Sequence, residues 1–347
     1  MTAIAHAVLR RIPKAELHCH LDGSVRPSTL LDLGREYDVP MPETSADALA
    51  HHMYVHDARH LEDYLTRFDV TLSVMQSERA IERIAFELGE DAAADGVRYI
   101  ETRYAPVLNQ KMGLSLEEAV EASLRGLARA QAEHGIIGRV IICALRHLSP
   151  DISLELARLA VAYRGRGVVG FDLAGGEAGH PAAAHRAAFL HARDNGMFCT
   201  CHAGEGAGPE SIAEAVHVCG AQRIGHGTRL IEDPRLTDEL ANNGIAIEAC
   251  LTSNVQTRAV MDYASHPLRA YFERGMRVTL NTDNRLMSGT TLTAEYAHAA
   301  KELHFTMSEL CTLARNGFES AFIPEDERKS LLAEVDREYA LLRAEAA

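Results

Sequence analysis

Short runs of β-branched and apolar residues alternate along the chain with longer stretches whose apolar positions recur at helical spacing. Eight such runs stand out: Glu16–Leu21, Val97–Arg103, Arg139–Arg146, Val168–Ala174, Met197–Ala203, Arg223–Gly225, Gly244–Ala249 and Met276–Thr282. The stretches between them, such as Ser115–His134 and Ser153–Arg164, are rich in Ala, Leu, Glu and Arg, which favour helix. Glycines just ahead of the runs, among them Gly96, Gly167, Gly196 and Gly275, suit helix ends and short turns into a sheet. Strand followed by helix, eight times over, predicts an α/β fold of the (β/α)8, or TIM-barrel, type. A doubly wound open sheet would alternate in the same way. The barrel is preferred because chemically active residues fall at the C-terminal ends of several runs.

Two segments break the even spacing. The stretch from Asp22 to Gly96 is too long for one crossover and contains helical patterns at Leu61–Met75 and Ala80–Ala94. It predicts a helical lid inserted after the first strand, at about residues 23–95, folding over the barrel mouth. Beyond the eighth run, Thr293–Ala347 reads as extra C-terminal helices. No internal repeat, low-complexity linker or shift in composition interrupts the chain, so one domain is expected over residues 1–347.

Charge narrows the choice of partner. The chain has 35 basic and 49 acidic side chains, a net charge of −14, with no concentrated Lys/Arg stripe. Nucleic acids and anionic membranes both call for a basic footprint, so a small-molecule substrate is expected instead. Seven cysteines are an odd number for a disulfide framework, and Cys143, Cys199, Cys201 and Cys250 lie in apolar runs as core residues. That usage suits a reducing cytoplasm. No apolar run reaches the roughly 18–20 residues of a membrane span, and the first residues lack a secretion-signal pattern.

The candidate chemistry is concentrated at four strand ends: Glu16–His20, Cys199–Glu205, Arg223–His226 and Val278–Asp283. His18 and His20 are two apart on a strand, so their rings share a face and stand about 6.5–7 Å apart along it. With His202 and Asp283 they offer three imidazole nitrogens and a carboxylate, a set that zinc accepts with a position left for water. Iron or another divalent ion could occupy the same set. Bound zinc lowers the pKa of water from ~15.7 to about 7, roughly 12 kcal/mol in favour of hydroxide. Glu205, three residues after His202, stands where general acid–base work is needed, although a glutamate there could also cap a helix. His226, between two glycines, suits an orienting role or a plain buried one. Asp283 could bind metal and accept the proton of an attacking water. His52, His56 and His60 fall four apart, but a second metal site there is not favoured. Gly175-Gly176 lacks the dinucleotide fingerprint and reads as room for a substrate near the backbone.

Taken together and in order, PKAELHCHLDGS (Pro13–Ser24), FDLAGGE (Phe171–Glu177), HAGE (His202–Glu205), GHG (Gly225–Gly227), LTSN (Leu251–Asn254) and NTDN (Asn281–Asn284) closely resemble the adenosine deaminase family. The resemblance implies a zinc-dependent (β/α)8 amidohydrolase that converts adenosine and 2′-deoxyadenosine to the inosines with release of ammonia. It implies one zinc per chain on His18, His20, His202 and Asp283, with Glu205 protonating purine N1. It further implies that His226 and Asp283 hold the attacking oxygen. Asp22 would meet the ribose, the Gly175 backbone the purine, and His20 would border both metal and substrate. The family commonly has a second aspartate where this chain has Asn284. A neutral amide can donate to purine N7 without first being protonated, so adenine recognition is expected to survive. Related members act on aminodeoxyfutalosine, free adenine or other 6-aminopurines, with Tyr64, Leu65 and Phe68 of the lid placed to choose among them. A catalytically silent binding homologue is disfavoured, since a pure binder has no use for a proton donor beside a metal.

Overall fold

The computed structural model describes residues 4–55 and 58–345. Eight parallel strands run β1 (Lys14–His20), β2 (Val97–Tyr104), β3 (Ile137–Leu145), β4 (Val168–Ala174), β5 (Phe198–Ala203), β6 (Arg223–His226), β7 (Ala246–Ala249) and β8 (Val278–Leu280). Each pairs in parallel with the next in sequence, so all eight runs expected from the sequence are strands of one barrel. The ring closes between β8 and β1. There the Leu17 and His18 amides donate to the Asn281 side chain, and the Asp283 backbone exchanges hydrogen bonds with His18 and His20. An open doubly wound sheet has no such closure.

Helices form where the caps and the apolar stripe agree. Ser115 opens the helix Leu116–His134 with a capping box to Glu118, and Gly135 ends it in the left-handed region. Ser149 caps Pro150–Ala162 in the same spirit. Between β1 and β2 the chain forms Pro27–Glu36, Ala46–Met53, Leu61–Leu65, Phe68–Val74 and Glu78–Ala94. The helical pattern at Leu61–Met75 is therefore split in two. At the break, the Thr66 hydroxyl takes the Asp63 carbonyl that the helix would otherwise use. Glu78–Ala94 packs on Leu116–His134 and on β2, as a helix of the outer ring does. At the C-terminal end, Leu292–Glu302, Met307–Ser320 and Glu325–Glu345 follow, and Met307–Ser320 covers the seam between β1 and β8.

The barrel interior is unusually ionic. Glu101, Arg103, Asp172, Arg223 and Glu248 are buried and bonded to one another. Ions removed from water persist only when closely paired, and here every carboxylate faces a guanidinium. All seven cysteines are buried and free, as expected of core residues. No helix among the described residues is long and apolar enough to cross a membrane.

Candidate metal centre and acid–base site

The ionic interior ends, at the C-terminal side of the strands, in the histidines. His18 Nδ1 lies 2.8 Å from Glu248 Oε2, and His202 Nδ1 lies 3.1 Å from Asp172 Oδ2. Carboxylates only accept, so both imidazoles carry their proton on Nδ1 and turn an Nε2 lone pair inward. One guanidinium serves both supports: Arg103 donates to Asp172 and to Glu248, each at 2.9 Å, and also to the Leu17 carbonyl. Gly225 makes room for this packing, because a Cβ there would come within 2.8 Å of His18 Cε1.

Five side chains converge on the centre. His18, His202, His226 and Asp283 have donor atoms within 4.8 Å of one another. His20 joins them, with Nε2 3.2 Å from His202 Nε2 and 3.4 Å from Asp283 Oδ1. His18 Nε2 is buried 3.4 Å from Asp283 Oδ1 but has no hydrogen-bond partner. Converging lone pairs and a carboxylate repel one another unless a cation lies between them, so the donor set fits a divalent metal. Asp283 is held from behind by the Ser253 hydroxyl at 2.6 Å. Burial works to raise its carboxyl, but the facing histidines outweigh burial and hold it well below the usual range. Asp283 and His226 both adopt left-handed backbone, φ 61° and 65°, a conformation that non-glycine residues take at some cost.

Glu205 occupies the rim, with Oε2 3.5 Å from His226 Nε2 and Oε1 accepting from the Thr257 hydroxyl at 3.0 Å. Burial, reinforced by the charge of Asp283, pushes its carboxyl well above the ordinary range. Its loop is pinned by Glu177, whose two oxygens accept from the amides of Gly204, Glu205, Gly206 and Ala207 at 2.7–3.1 Å. A small cavity above the centre is bounded by Gly175, Glu205 and Asn284 on one side and by Leu61, Tyr64, Leu65 and Phe68 on the other. Asn284 is buried and its Oδ1 is unpartnered. Asp22 lies behind His20, 3.9 Å from Nδ1, and its buried carboxyl is pushed up to about 7.

The residues read from sequence thus meet in one place, but their supports were missed. Asp172 and Glu177 lie inside FDLAGGE and Ser253 inside LTSN, where they carried no assigned role. Arg103 and Glu248 are charged residues within apolar strand runs, and that mismatch is the signal that could have found them. The histidines at 52, 56 and 60 share no helix: Ala46–Met53 ends before His60, and His56 lies outside the described residues.

The adenosine deaminase family profile matches residues 13–338. The adenosine deaminase of Mycobacterium tuberculosis (strain H37Rv) is 42% identical over 346 residues, covering 94% of each chain. A probable adenosine deaminase of Dictyostelium discoideum is also 42% identical, over 317 residues, and there the match covers 91% of this chain but 41% of that longer protein. Among solved structures, an adenine deaminase of Arthrobacter aurescens superposes with a TM-score of 0.88 at 29% identity, covering 94% of this chain and 98% of that one. A zinc-bound amidohydrolase of Burkholderia ambifaria gives a TM-score of 0.89 at 26% identity, covering 100% of this chain and 95% of that one. Barrel, site and likeness agree: the chain is an enzyme of the adenosine deaminase family.

Proposed function

We propose that the protein hydrolytically deaminates adenosine and 2′-deoxyadenosine to inosine and 2′-deoxyinosine, releasing ammonia, and serves purine salvage in the cytoplasm. The reading is carried by a buried Glu205, its carboxyl pushed above the ordinary range, set 3.5 Å from His226 at the edge of the histidine–aspartate cluster. His18, His20, His202 and Asp283 would hold one zinc ion per chain. When bound, that ion supplies Lewis acidity that brings the pKa of water toward neutrality.

The remaining work falls to the chain's own groups. Glu205 gives its proton to purine N1, which draws electrons from C6. Asp283 takes one proton of the attacking water and passes it to the amine, which leaves as ammonia as the C6–N bond breaks. The hydrogen left on the C6 oxygen returns to Glu205 as the carbonyl forms, while His226 orients the oxygen. The Asn284 amide donates to N7, the Gly175 backbone lies against the ring, and Asp22 receives the ribose hydroxyl. Of the segment at about 23–95 expected as a lid, Glu78–Ala94 belongs to the outer ring. The helices Leu61–Leu65 and Phe68–Val74 act as the lid, with Leu61, Leu65 and Phe68 on its inner face. Tyr64 latches it to Ser288 at 3.0 Å. Lid opening admits the substrate and closure excludes water.

A second reading keeps the chemistry and changes the substrate to free adenine or another 6-aminopurine derivative, in keeping with Asn284 and the adenine deaminase neighbour. The ultraviolet absorbance change on mixing zinc-loaded protein with adenosine, 2′-deoxyadenosine or adenine, with Glu205→Ala as control, separates the two. Turnover of adenine with none of the nucleosides would overturn the nucleoside reading.

A further inference from the structure

Two residues outside the cavity lining stand behind His226. Its Nδ1 lies 2.9 Å from Asn254 Nδ2, Asn254 Oδ1 lies 3.1 Å from His266 Nε2, and His266 Nδ1 lies 3.1 Å from the Leu268 backbone nitrogen. Only the last contact has a polarity fixed by covalent structure, because an amide N–H can only donate. That N–H opens the helix Leu268–Glu273, where no helical carbonyl can serve it. His266 Nδ1 must therefore carry a lone pair. Burial pushes this imidazole down to about 3, so the ring is neutral and its one proton sits on Nε2.

The direction then propagates. His266 Nε2–H donates to Asn254 Oδ1, which orients the amide so that Nδ2–H donates to His226 Nδ1. Reversing the amide would set two N–H groups against each other at His266, in a buried place without relief. The remaining proton of a neutral His226 is thus on Nε2, facing Glu205 and the cavity. We propose that Asn254 and His266 are positioning residues: a one-way hydrogen-bond chain from the Leu268 backbone holds His226 as its Nε2–H tautomer. His226 is then a donor to the attacking oxygen, with no lone pair to offer a metal.

The same rule sorts the other histidines. His18 and His202 have carboxylates at Nδ1 and so expose Nε2 lone pairs, whereas His226 has an amide donor there and exposes a proton. Of the five converging side chains, His226 is the one removed from the ligand set. That leaves His18, His20, His202 and Asp283.

The donor role toward the attacking oxygen rests on the proposed deaminase reading; the tautomer does not, and the two are tested apart. Long-range ¹H–¹⁵N spectra of zinc-loaded protein labelled at histidine report which ring nitrogen carries hydrogen, and His226→Gln and His266→Gln assign the signals. His226 and His266 are expected to be protonated at Nε2. His266→Leu removes the donor, should mix the His226 tautomers, and should lower kcat on adenosine about tenfold with little change in KM. His266→Gln restores both ends, since Oε1 accepts from Leu268 and Nε2–H donates to Asn254, and should bring kcat back to within about threefold. Zinc content should remain one per chain in each variant. An Nδ1–H His226 in the unmodified protein overturns the proposal, whether or not His266→Leu folds. So do unchanged His226 signals in a folded His266→Leu. Absence of turnover on adenosine with the Nε2–H pattern intact would sink the nucleoside reading alone.

Discussion

Each acid–base residue of this centre owes its state to what lies behind it. Glu205 faces the Thr257 hydroxyl and the His226 ring, and burial, reinforced by the charge of Asp283, pushes its carboxyl above the ordinary range. Glu205→Gln keeps the shape and removes the transferable proton. It should lower kcat by about 10²–10⁴-fold while KM moves far less, since the proton matters chiefly in the transition state. Steady-state kinetics with metal content measured alongside would check it; a loss of zinc together with activity would point to a structural effect instead. At Asn284, the buried amide has an Oδ1 without a partner and packs on Gly23, where a Cβ would fall 1.7 Å from that oxygen. On the proposed reading the Asn284 amide serves as a neutral donor to N7 where the family commonly has an aspartate. Asn284→Asp should change kcat/KM on adenosine by no more than about tenfold, the worth of one hydrogen bond. A rise of several hundredfold would mean that Asn284 is tuned to another 6-aminopurine.

At the scale of the element, the loop after β5 is the part with most to lose. Its amides from Gly204 to Ala207 all turn toward one carboxylate, Glu177, from the loop after β4. An acceptor shared by four donors fixes the loop that aims Glu205, much as a bound anion fixes an amide nest. Glu177→Ala strands these donors, two of them on buried residues. A loss of about 2–4 kcal/mol of stability is expected after water reaches the more exposed pair, with a fall in kcat as Glu205 loses its aim. Glu177→Gln retains one acceptor oxygen and should cost about half as much. Urea denaturation of the two variants gives the ranking, and equal losses would show that charge rather than acceptor geometry holds the loop. The strands and the principal helices were legible in the sequence because short β-rich runs, capping residues and glycine stops agree at each. This loop's support was not, because Glu177 reads as an ordinary polar residue until folding brings 204–207 against it.

For the whole molecule, the ring order and the convergence of His18, His20, His202, Glu205, His226 and Asp283 could be read ahead from where each falls on its strand. The links across the barrel could not. Arg103 on β2 joins Asp172 on β4 to Glu248 on β7, and nothing local in the chain couples those three positions. These links make the metal centre and the fold one system. Glu248 and Asp172 are held by arginines on one side and support His18 and His202 on the other, so removing an ion from the centre leaves inward lone pairs and Asp283 facing one another, buried. Relief would require protonating a histidine next to Arg103 or opening the barrel mouth to water, and both weaken native packing. Ligand binding to the folded state alone contributes RT ln(1 + [L]/Kd), about 2.7 kcal/mol at a hundredfold excess over Kd. Exhaustive chelation should therefore lower the unfolding midpoint by several degrees as well as abolish turnover, and one equivalent of zinc should restore both. Arg103→Leu should show the coupling from the other side. With two buried carboxylates left without their shared partner, stability should fall by about 3–5 kcal/mol and the zinc-dependent part of the midpoint shift should shrink. A midpoint in Arg103→Leu that responds to zinc as strongly as in the unmodified protein would mean that the ionic interior supports the barrel but not the metal.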